Sequence, residues 1–412
     1  MSTDQTPTGT PETPEAPEKQ APPSPSRWHQ ALREIAAGQV LVALLSVLLA
    51  VIVGSVLILL TDENVRETAS YIGARPGDFF QAVWDAITGA YSALVRGAIW
   101  NNRVDTFEQQ IRPLTETLKF AAPLITAGLG VGLAFRAGMF NIGGRGQMLL
   151  AGAAAGWVGV GVDLPMAIHL PLAIVAGMAI GALWAGLAGL LKARTGAHEV
   201  IVTIMLNYVG YYLVFFALTK QELLQAPGTI NPKSAAMPES VVLPKILGDK
   251  FNLHLGFLLA LVAVAFVWWL LNRSAMGFRL RAVGENPDAA RSSGIDVGRT
   301  YVVVMLIAGA LVGLAGVNQV LGTVTSGVAG DLDAGIGFDA ITVALLGRSR
   351  PLGILAAGLL FGAFKAGGFA MQASQGIPVD IVLIVQSLIV LFIAAPPLVR
   401  AMFRLPAKEA TA

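Results

Sequence analysis

The sequence contains no cysteine and only four histidines. Without a thiol, the chain cannot form disulfide bonds, hold an iron–sulfur cluster or use a thiolate as a nucleophile. The histidines are scattered and lack the spacing of metal ligands: His29, His169, His198 and His254. We therefore expect neither a metal site nor any other cofactor.

Charged side chains are also scarce. Asp, Glu, Lys and Arg make up 13% of the 412 residues, whereas ~25% is typical of soluble proteins. The 28 basic and 26 acidic residues leave a net charge of +2, which is too small to indicate a nucleic-acid partner. In contrast, 55% of the residues are hydrophobic and the mean hydropathy is +0.66. So much apolar surface indicates a chain embedded in a lipid bilayer.

Apolar runs of membrane-spanning length recur along the chain. The first run, 39–60, has the ~20 residues needed to cross a hydrocarbon core. The others are 118–135, 147–162, 170–191, 200–218, 254–271, 300–321, 337–346, 352–371 and 379–395. The run 337–346 is too short for a full crossing and follows the glycine-broken stretch 323–336, which indicates a discontinuous helix. The sequence predicts an all-α membrane protein of about ten transmembrane helices, some of them broken.

The distribution of basic residues predicts the orientation of these spans. With the N-terminus in the cytoplasm, the three short outer loops near 163–169, 322–336 and 372–378 contain no Lys or Arg. We therefore expect both termini to be cytoplasmic. The predicted parts are a disordered cytoplasmic tail (1–38), a first transmembrane helix (39–60), an extracytoplasmic segment (61–117), a transmembrane core (118–397) with a long cytoplasmic loop (273–299), and a cytoplasmic tail (398–412).

The extracytoplasmic segment contains an aromatic amphipathic pattern. Its apolar side chains recur at helical spacing: Phe80, Trp84, Ile87, Tyr91, Leu94 and Val95. A helix with this pattern either lies on the outer membrane surface or packs against neighbouring spans. The pattern alone is compatible with both arrangements.

Ionisable residues within the predicted spans are few, and each costs about 2.5–3.5 kcal/mol or more at the bilayer centre. The candidates are Glu199, Asp339, Lys365 and Asp380. An ion-coupled carrier usually needs buried carboxylates, and only Asp339 is suitably placed. The chain also lacks the G-x-x-x-x-G-K-[ST] loop that binds nucleotide phosphates. We therefore expect transport driven by a separate chain; an ion-coupled transporter or channel, using Asp339 with Lys365, is the alternative.

The cytoplasmic loop contains a short helix with its own capping residues. Asn286 is a favourable N-cap, Pro287 suits the first helical position and Asp288 complements the helix dipole. Gly294 can close the C-terminus. Such a helix on a protein with few loops is better explained as a docking element for a cytoplasmic partner than as a solvated loop.

Four stretches resemble the permeases of ABC importers of the branched-chain-amino-acid/ribose type. Residues 282–295 (AVGENPDAARSSGI) resemble the coupling-helix segment that meets the ATPase in that family. Residues 140–147 (FNIGGRGQ), 198–208 (HEVIVTIMLNY) and 337–347 (GFDAITVALLG) resemble its nucleoside-uptake branch. The resemblance extends over about 118–395.

The resemblance implies a type II-like ABC importer permease in the bacterial plasma membrane, and a transporter subunit rather than an enzyme. Its implied partners are a cytoplasmic ATPase, a second related permease in a heterodimer and an extracytoplasmic substrate-binding lipoprotein. The residues that it assigns to ATPase coupling are Glu285, Asn286, Pro287, Asp288, Ala289, Ala290 and Gly294. The substrate is a nucleoside, a nucleobase or a simple sugar.

A polar stripe marks one face of the predicted fifth span. Glu199, Thr203 and Asn207 are four residues apart, and Tyr211 continues the stripe. The stripe either forms interhelical hydrogen bonds or faces a water-filled path, in which Tyr208 could stack on a nucleobase. Further polar residues flank the two breaks or end the seventh span. The predicted substrate path comprises Asn141, Gln147, Glu199, Thr203, Asn207, Tyr208, Asn318, Gln319, Asp339 and Thr342.

Overall fold

The computed structural model describes residues 39–404, and the side chains of 44–404 apart from Ala394. Within that range the chain is helical, with no β-strand and one isolated bridge between Lys245 and His254. The predicted tail at 1–38, and the part of the predicted tail at 398–412 beyond residue 404, lie outside the described residues.

Fifteen α-helices and one π-helix form within the described residues. In chain order they are α1 (Gln39–Thr61), α2 (Glu63–Ala69), α3 (Pro76–Ala98), α4 (Phe107–Arg136), α5 (Gly144–Gly161), α6 (Met166–Thr195), α7 (Glu199–Leu218), α8 (Gly256–Arg273), α9 (Ala275–Glu285), α10 (Pro287–Ser292), α11 (Val297–Asn318), the π-helix (Gln319–Thr323), α12 (Ile336–Leu346), α13 (Pro351–Gln375), α14 (Val379–Ala394) and α15 (Pro396–Met402).

Seven helices of the described range are long and apolar enough to cross a membrane: α1, α4, α6, α7, α8, α11 and α13. An eighth span results if α14 and α15, which are bent by 92° relative to each other, count as one. The expectation of about ten spans is therefore not confirmed. Two of the predicted spans form helices but fall short: α5 begins with the polar Arg145 and Gln147, and α12 has only 11 residues.

The helices α4 and α11 occupy the core. All residues of 121–134 in α4 and of 311–318 in α11 are buried. Small residues allow α11 to approach its neighbour α6 closely: a Cβ at Gly309 would collide with the carbonyl oxygen of Gly181. Close backbone contact of this kind is how helices associate where lipid provides no hydrophobic drive.

The amphipathic helix of the 61–117 segment is α3, and it packs lengthwise against other helices. The Tyr91 hydroxyl donates a hydrogen bond to the Val51 carbonyl of α1 at 2.8 Å. Near the other end of α3, Gly97 lies against Ala370 of α13. Phe80 and Trp84, in the first half of α3, remain exposed. Helix α3 thus packs against neighbouring helices, and a position at the outer membrane surface stays a prediction.

The two breaks in the helical pattern meet. The first lies between α4 and α5, at 137–143, and the second between the π-helix and α12, at 324–335. A Cβ at Gly144 would lie 2.6 Å from the Gly337 carbonyl oxygen, and one at Gly337 would lie 2.5 Å from the backbone of Arg145. The N-termini of α5 and α12 are therefore in direct backbone contact, which only glycine permits.

Candidate substrate path

A buried pair of amide side chains organises the first break. The Asn141 Nδ2 donates to Gln147 Oε1 at 3.2 Å, and Gln147 Nε2 donates back to Asn141 Oδ1 at 2.9 Å. The same Asn141 oxygen accepts a hydrogen bond from the Gly143 N–H at 3.0 Å. Both side chains are buried. Their polar groups are thus satisfied within the protein, as buried polar groups must be.

The polar stripe of α7 completes this network. Asn207 Oδ1 accepts a hydrogen bond from the Gly146 N–H at 2.8 Å, and Asn207 Nδ2 donates to the Ile142 carbonyl at 2.9 Å. The Thr203 hydroxyl accepts from the Ile142 N–H at 3.3 Å. Helix α7 therefore holds the irregular backbone of the break in place. Irregular backbone at membrane depth is tolerated only where such partners exist or where it lines a cavity.

A cavity of about 320 Å³ lies beside this network. It is lined by Arg145 of α5, Phe338 of α12 and one face of α7, with Ile204, Asn207, Tyr208, Tyr211 and Tyr212. The rings of Tyr208, Tyr212 and Phe338 are exposed by 59%, 64% and 49%. The cavity is therefore half-open, with an aromatic surface facing outward.

The arginine of this cavity is held from two sides. Its Nε lies 3.4 Å from Oδ1 of the buried Asp333, and its guanidinium lies 5.2 Å from the centre of the Tyr211 ring. A cation over an aromatic face is attracted by the ring quadrupole. Arg145 thus places positive charge at the cavity wall while Asp333 compensates it.

The two predicted path residues with a carboxylate, Glu199 and Asp339, are each paired with a lysine. Asp339 of α12 lies 3.1 Å from Lys365 of α13, whose ammonium also donates to the Ala334 carbonyl. At the start of α7, Glu199 accepts a hydrogen bond from Lys192 at 2.8 Å. An intramembrane charge that is paired in this way avoids much of its desolvation cost. Neither carboxylate lines the aromatic cavity, and neither does the half-buried Thr342.

Asn318 and Gln319 lie in a different part of the fold. They are buried where α11 passes into the π-helix, close to His254. Four buried side-chain atoms have no hydrogen-bond partner within the described residues. They are Oδ1 and Nδ2 of Asn318, Oε1 of Gln319 and Nε2 of His254. Burial, with the nearby charge of Lys119, lowers the pKa of His254 to about 4. The ring is therefore neutral at physiological pH.

The loop helix α10 forms as its capping residues predict. Asn286 Oδ1 accepts hydrogen bonds from the N–H groups of Asp288 and Ala289, both at 3.0 Å. Gly294 ends the turn with φ of +81°. One residue anchors the helix: Ala290 is buried against Val283 and Val297. The polar face, including Glu285, Asn286 and Asp288, is exposed.

The comparison with protein families decides the class of this chain. The family described as "Branched-chain amino acid transport system / permease component" matches residues 114–394. The chain belongs to this permease family. It is a permease subunit of an ABC transporter and not an enzyme, because ATP hydrolysis in these transporters belongs to a separate chain.

Curated relatives cover most of the permease. The guanosine ABC transporter permease protein NupP of Bacillus subtilis (strain 168) is 39% identical, covering 76% of this chain and 88% of its own. The glucose ABC transporter permease protein TsgB13 of Haloferax volcanii is 36% identical (70% and 78%). The nucleoside ABC transporter permease protein NupB of Lactococcus lactis subsp. cremoris is 35% identical (73% and 85%). A second B. subtilis guanosine permease, NupQ, is 29% identical (60% and 78%).

In the permease, five of the ten predicted path residues come together at the first break and beside the cavity: Asn141, Gln147, Thr203, Asn207 and Tyr208. The other five lie at the start of α7 (Glu199), on α12 (Asp339 and Thr342) or where α11 passes into the π-helix (Asn318 and Gln319). Direct contact with substrate stays a prediction for all ten. Residues that sequence reasoning missed as path residues are Arg145, Tyr212 and Phe338. The tyrosine spacing on α7 was a usable signal, because Tyr208, Tyr211 and Tyr212 share one helical face.

Proposed function

We propose that the permease forms one half of a path through which nucleosides cross the membrane. The aromatic cavity supports this most directly. Nucleobases stack on Tyr and Phe rings, and such stacking is worth ~1–3 kcal/mol per base in nucleic-acid-binding proteins. Tyr208, Tyr212 and Phe338 present exposed rings for this purpose. A stacking surface tolerates different bases, which suits a path that must release its cargo.

Two polar groups of the cavity can orient a nucleoside. One N–H of the Asn207 amide is used by the Ile142 carbonyl, so the second remains for a base edge or a ribose hydroxyl. The Arg145 guanidinium has five N–H donors, of which the Asp333 contact engages only part. Hydrogen-bond donors beside stacking rings distinguish a nucleoside from a purely apolar molecule.

A second permease would close the open side of the cavity. The rings of Tyr208 and Tyr212 are more than half exposed, so this chain encloses only part of a path. The relatives NupP and NupQ are two different guanosine permeases of one bacterium. We infer a heterodimer in which two related permeases face each other across the substrate.

We infer the remaining assembly from the family and from the fold. The exposed face of α10 and its flanking residues would dock a cytoplasmic ATPase through Glu285, Asn286, Pro287, Asp288, Ala289 and Gly294. Ala290, also predicted as a coupling residue, is buried against Val283 and Val297 and would only anchor the helix. A substrate-binding lipoprotein would deliver substrate at the outer mouth, and ATP binding would tilt the helices as rigid bodies. In this arrangement both termini are cytoplasmic, 61–117 is extracytoplasmic, and α5 and α12 are partial crossings that bring the seven or eight spans to about ten.

The identity of the transported substrate can be tested by measuring uptake in cells that lack their own nucleoside importers. We expect labelled guanosine uptake when the permease is expressed with its ATPase, second permease and binding protein. Tyr212→Ala and Tyr208→Ala should each lower uptake roughly 10-fold, the loss of one stacking contact. Tyr71→Ala, an exposed tyrosine of the extracytoplasmic segment, is the matched control. Uptake of glucose but not of guanosine would favour a sugar path, as the relative TsgB13 suggests.

The same assay separates ATP-driven from ion-coupled transport. Replacing the paired charges together, as Asp339→Asn with Lys365→Met, should leave most uptake intact, whereas deletion of residues 286–294 should abolish it. The opposite pattern, with uptake lost in the charge variant and retained in the deletion, would establish an ion-coupled transporter.

A further inference from the structure

A second cavity, of about 680 Å³, lies at the end of the bundle that carries α9 and α10. It is bounded by the end of α4, by α8 and α9, and by the loop that enters α13. The proposed topology assigns this end to the cytoplasm. The cavity belongs neither to the substrate path nor to the exposed face of α10.

Four arginines line this cavity: Arg136, Arg281, Arg348 and Arg350. No carboxylate lies among the lining residues that the structure describes. Arg136 Nε donates to the Ser349 carbonyl at 3.0 Å, and Arg281 donates to the Leu271 carbonyl. The exposed side chains of Arg348 and Arg350 form no hydrogen bond or ion pair with any described residue. Like charges gathered without a counter-charge repel one another, so the cavity is suited to an external anion.

The backbone between the two free arginines is strained at Arg348 and Ser349, whereas Arg350 itself is extended, with φ of −104°. Arg348 and Ser349 have φ of +52° and +50°, a left-handed conformation that costs free energy for residues other than glycine. The Ser349 N–H is held by the Ala344 carbonyl at 2.8 Å, and the Ser349 carbonyl is held by Arg136. Strained backbone persists where the surroundings enforce it, and such sites are often functional.

One wall of the cavity is apolar and belongs to membrane helices. Trp268 lies on α8 and Leu352 on α13, and both helices are long and apolar enough to span. Their side chains are exposed by 44% and 65%. Tryptophan is enriched where a membrane protein meets the lipid–water boundary. The cavity thus has a positively charged wall beside an apolar wall that can contact lipid acyl chains.

We propose that this cavity binds an anionic phospholipid, with the phosphate between Arg348 and Arg350 and an acyl chain along Trp268 and Leu352. Guanidinium groups match phosphate oxygens bidentately, and basic pockets between membrane helices bind lipid head groups. A soluble anion would satisfy the arginines but leave the apolar wall exposed. An acidic surface of a partner protein would likewise neutralise the arginines and leave the apolar wall exposed.

Native mass spectrometry of the full-length chain in an uncharged detergent tests this proposal. The chain is titrated with phosphatidylglycerol, with zwitterionic phosphatidylcholine of the same chains, and separately with inorganic phosphate. We expect phosphatidylglycerol to bind more tightly than phosphatidylcholine, and Arg348→Gln with Arg350→Gln to weaken it roughly 10- to 30-fold, since each basic residue near a membrane contributes ~1 kcal/mol. The charge-matched control, Arg66→Gln with Arg75→Gln, should bind as the wild type does.

A second variant tests the apolar wall without altering charge. Leu352→Asn should weaken phosphatidylglycerol binding while leaving phosphate binding unchanged. Equal lipid binding by the wild type and the Arg348/Arg350 variant would overturn the proposal. Phosphate binding as tight as that of phosphatidylglycerol would assign the cavity to a soluble anion. Unchanged lipid binding with weakened ATPase co-purification would assign the arginines to a protein interface.

Discussion

At the scale of single residues, the meeting of the two breaks depends on glycine. A side chain at Gly144 or Gly337 would collide with backbone atoms, which cannot rotate away as a side-chain end can. Close packing of this kind resists added volume. At the far end of α5, Gly161 has no such role, because a Cβ there would meet nothing within 4 Å.

We therefore expect Gly337→Val to destabilise the permease by ~1–3 kcal/mol or more, the usual cost of overpacking. Its midpoint of heat inactivation in detergent should fall by several degrees. Gly161→Ala is the control and should melt as the wild type does. An unchanged midpoint for Gly337→Val would mean that the two helix starts can separate without loss of stability.

A second prediction at this scale separates structural from path residues. Asn207→Leu leaves the buried Gly146 N–H and Ile142 carbonyl without partners, which should cost ~1–3 kcal/mol for each group. Tyr208→Leu, at the next position, removes an exposed ring and should lower uptake with little change in thermal stability. Comparing melting with uptake for the two variants checks the assignment. Equal melting curves would contradict the bracing role of Asn207.

Sequence patterns correctly predicted those features that depend on residues close together in the chain. The cap and end of α10 follow from Asn286, Pro287 and Gly294, because each acts within a few residues of itself. Arg145 and Phe338 were missed as cavity residues because their position depends on which faces of α5, α7 and α12 meet. These helices are far apart in the sequence, and the periodicity of each helix does not indicate which faces will pack together.

At the scale of elements, α10 is a short helix whose shape depends on one cap and one buried methyl group. Replacing the cap, as Asn286→Ala, should cost about 1 kcal/mol of local helix stability. The expected result is a roughly 5-fold weaker ATPase association, measured by co-purification with the tagged, solubilised permease. Asn102→Ala, which removes an exposed asparagine from the α3–α4 loop, should retain full association. Equal association for both variants would mean that α10 does not dock the ATPase.

Two further elements show the limits of pattern reading. The aromatic stripe of α3 predicted an amphipathic helix correctly but allowed two positions. The Tyr91–Val51 hydrogen bond and the Gly97 contact show packing against other helices, while Phe80 and Trp84 remain exposed. The π-helix at Gln319–Thr323 was not predicted, since its residues form a continuous run with α11. It begins directly after the buried Asn318, whose side-chain amide has no hydrogen-bond partner among the described residues.

At the scale of the whole molecule, the hydropathy windows predicted about ten spans, and seven or eight helices of the described residues are long and apolar enough to cross a membrane. The windows score apolar content, whereas α5 packs chiefly against α6 and α11, and α12 against α4, so that neither needs full length or an apolar start. The positive-inside distribution nevertheless predicts a definite orientation. Because the chain has no cysteine, single cysteines can report that orientation without background.

We expect Ser293→Cys, beside α10, to react with a membrane-impermeant maleimide in inverted vesicles but not in intact cells. Asn102→Cys, in the α3–α4 loop, should react in intact cells. Both positions are exposed in the structure, so accessibility should depend only on the side of the membrane. Labelling of Ser293→Cys in intact cells would reverse the proposed topology.

The contact between Gly144 and Gly337 also limits how the molecule can move. No side chain lies between the two helix starts, and α7 is hydrogen-bonded to the same break through Asn207. Packed cores tend to shift as blocks rather than deform. Helices α5, α7 and α12 are therefore expected to travel as one rigid body. We expect any opening of the proposed path to occur at the boundaries of this block, and the exposed face of Tyr208 and Tyr212 is one such boundary.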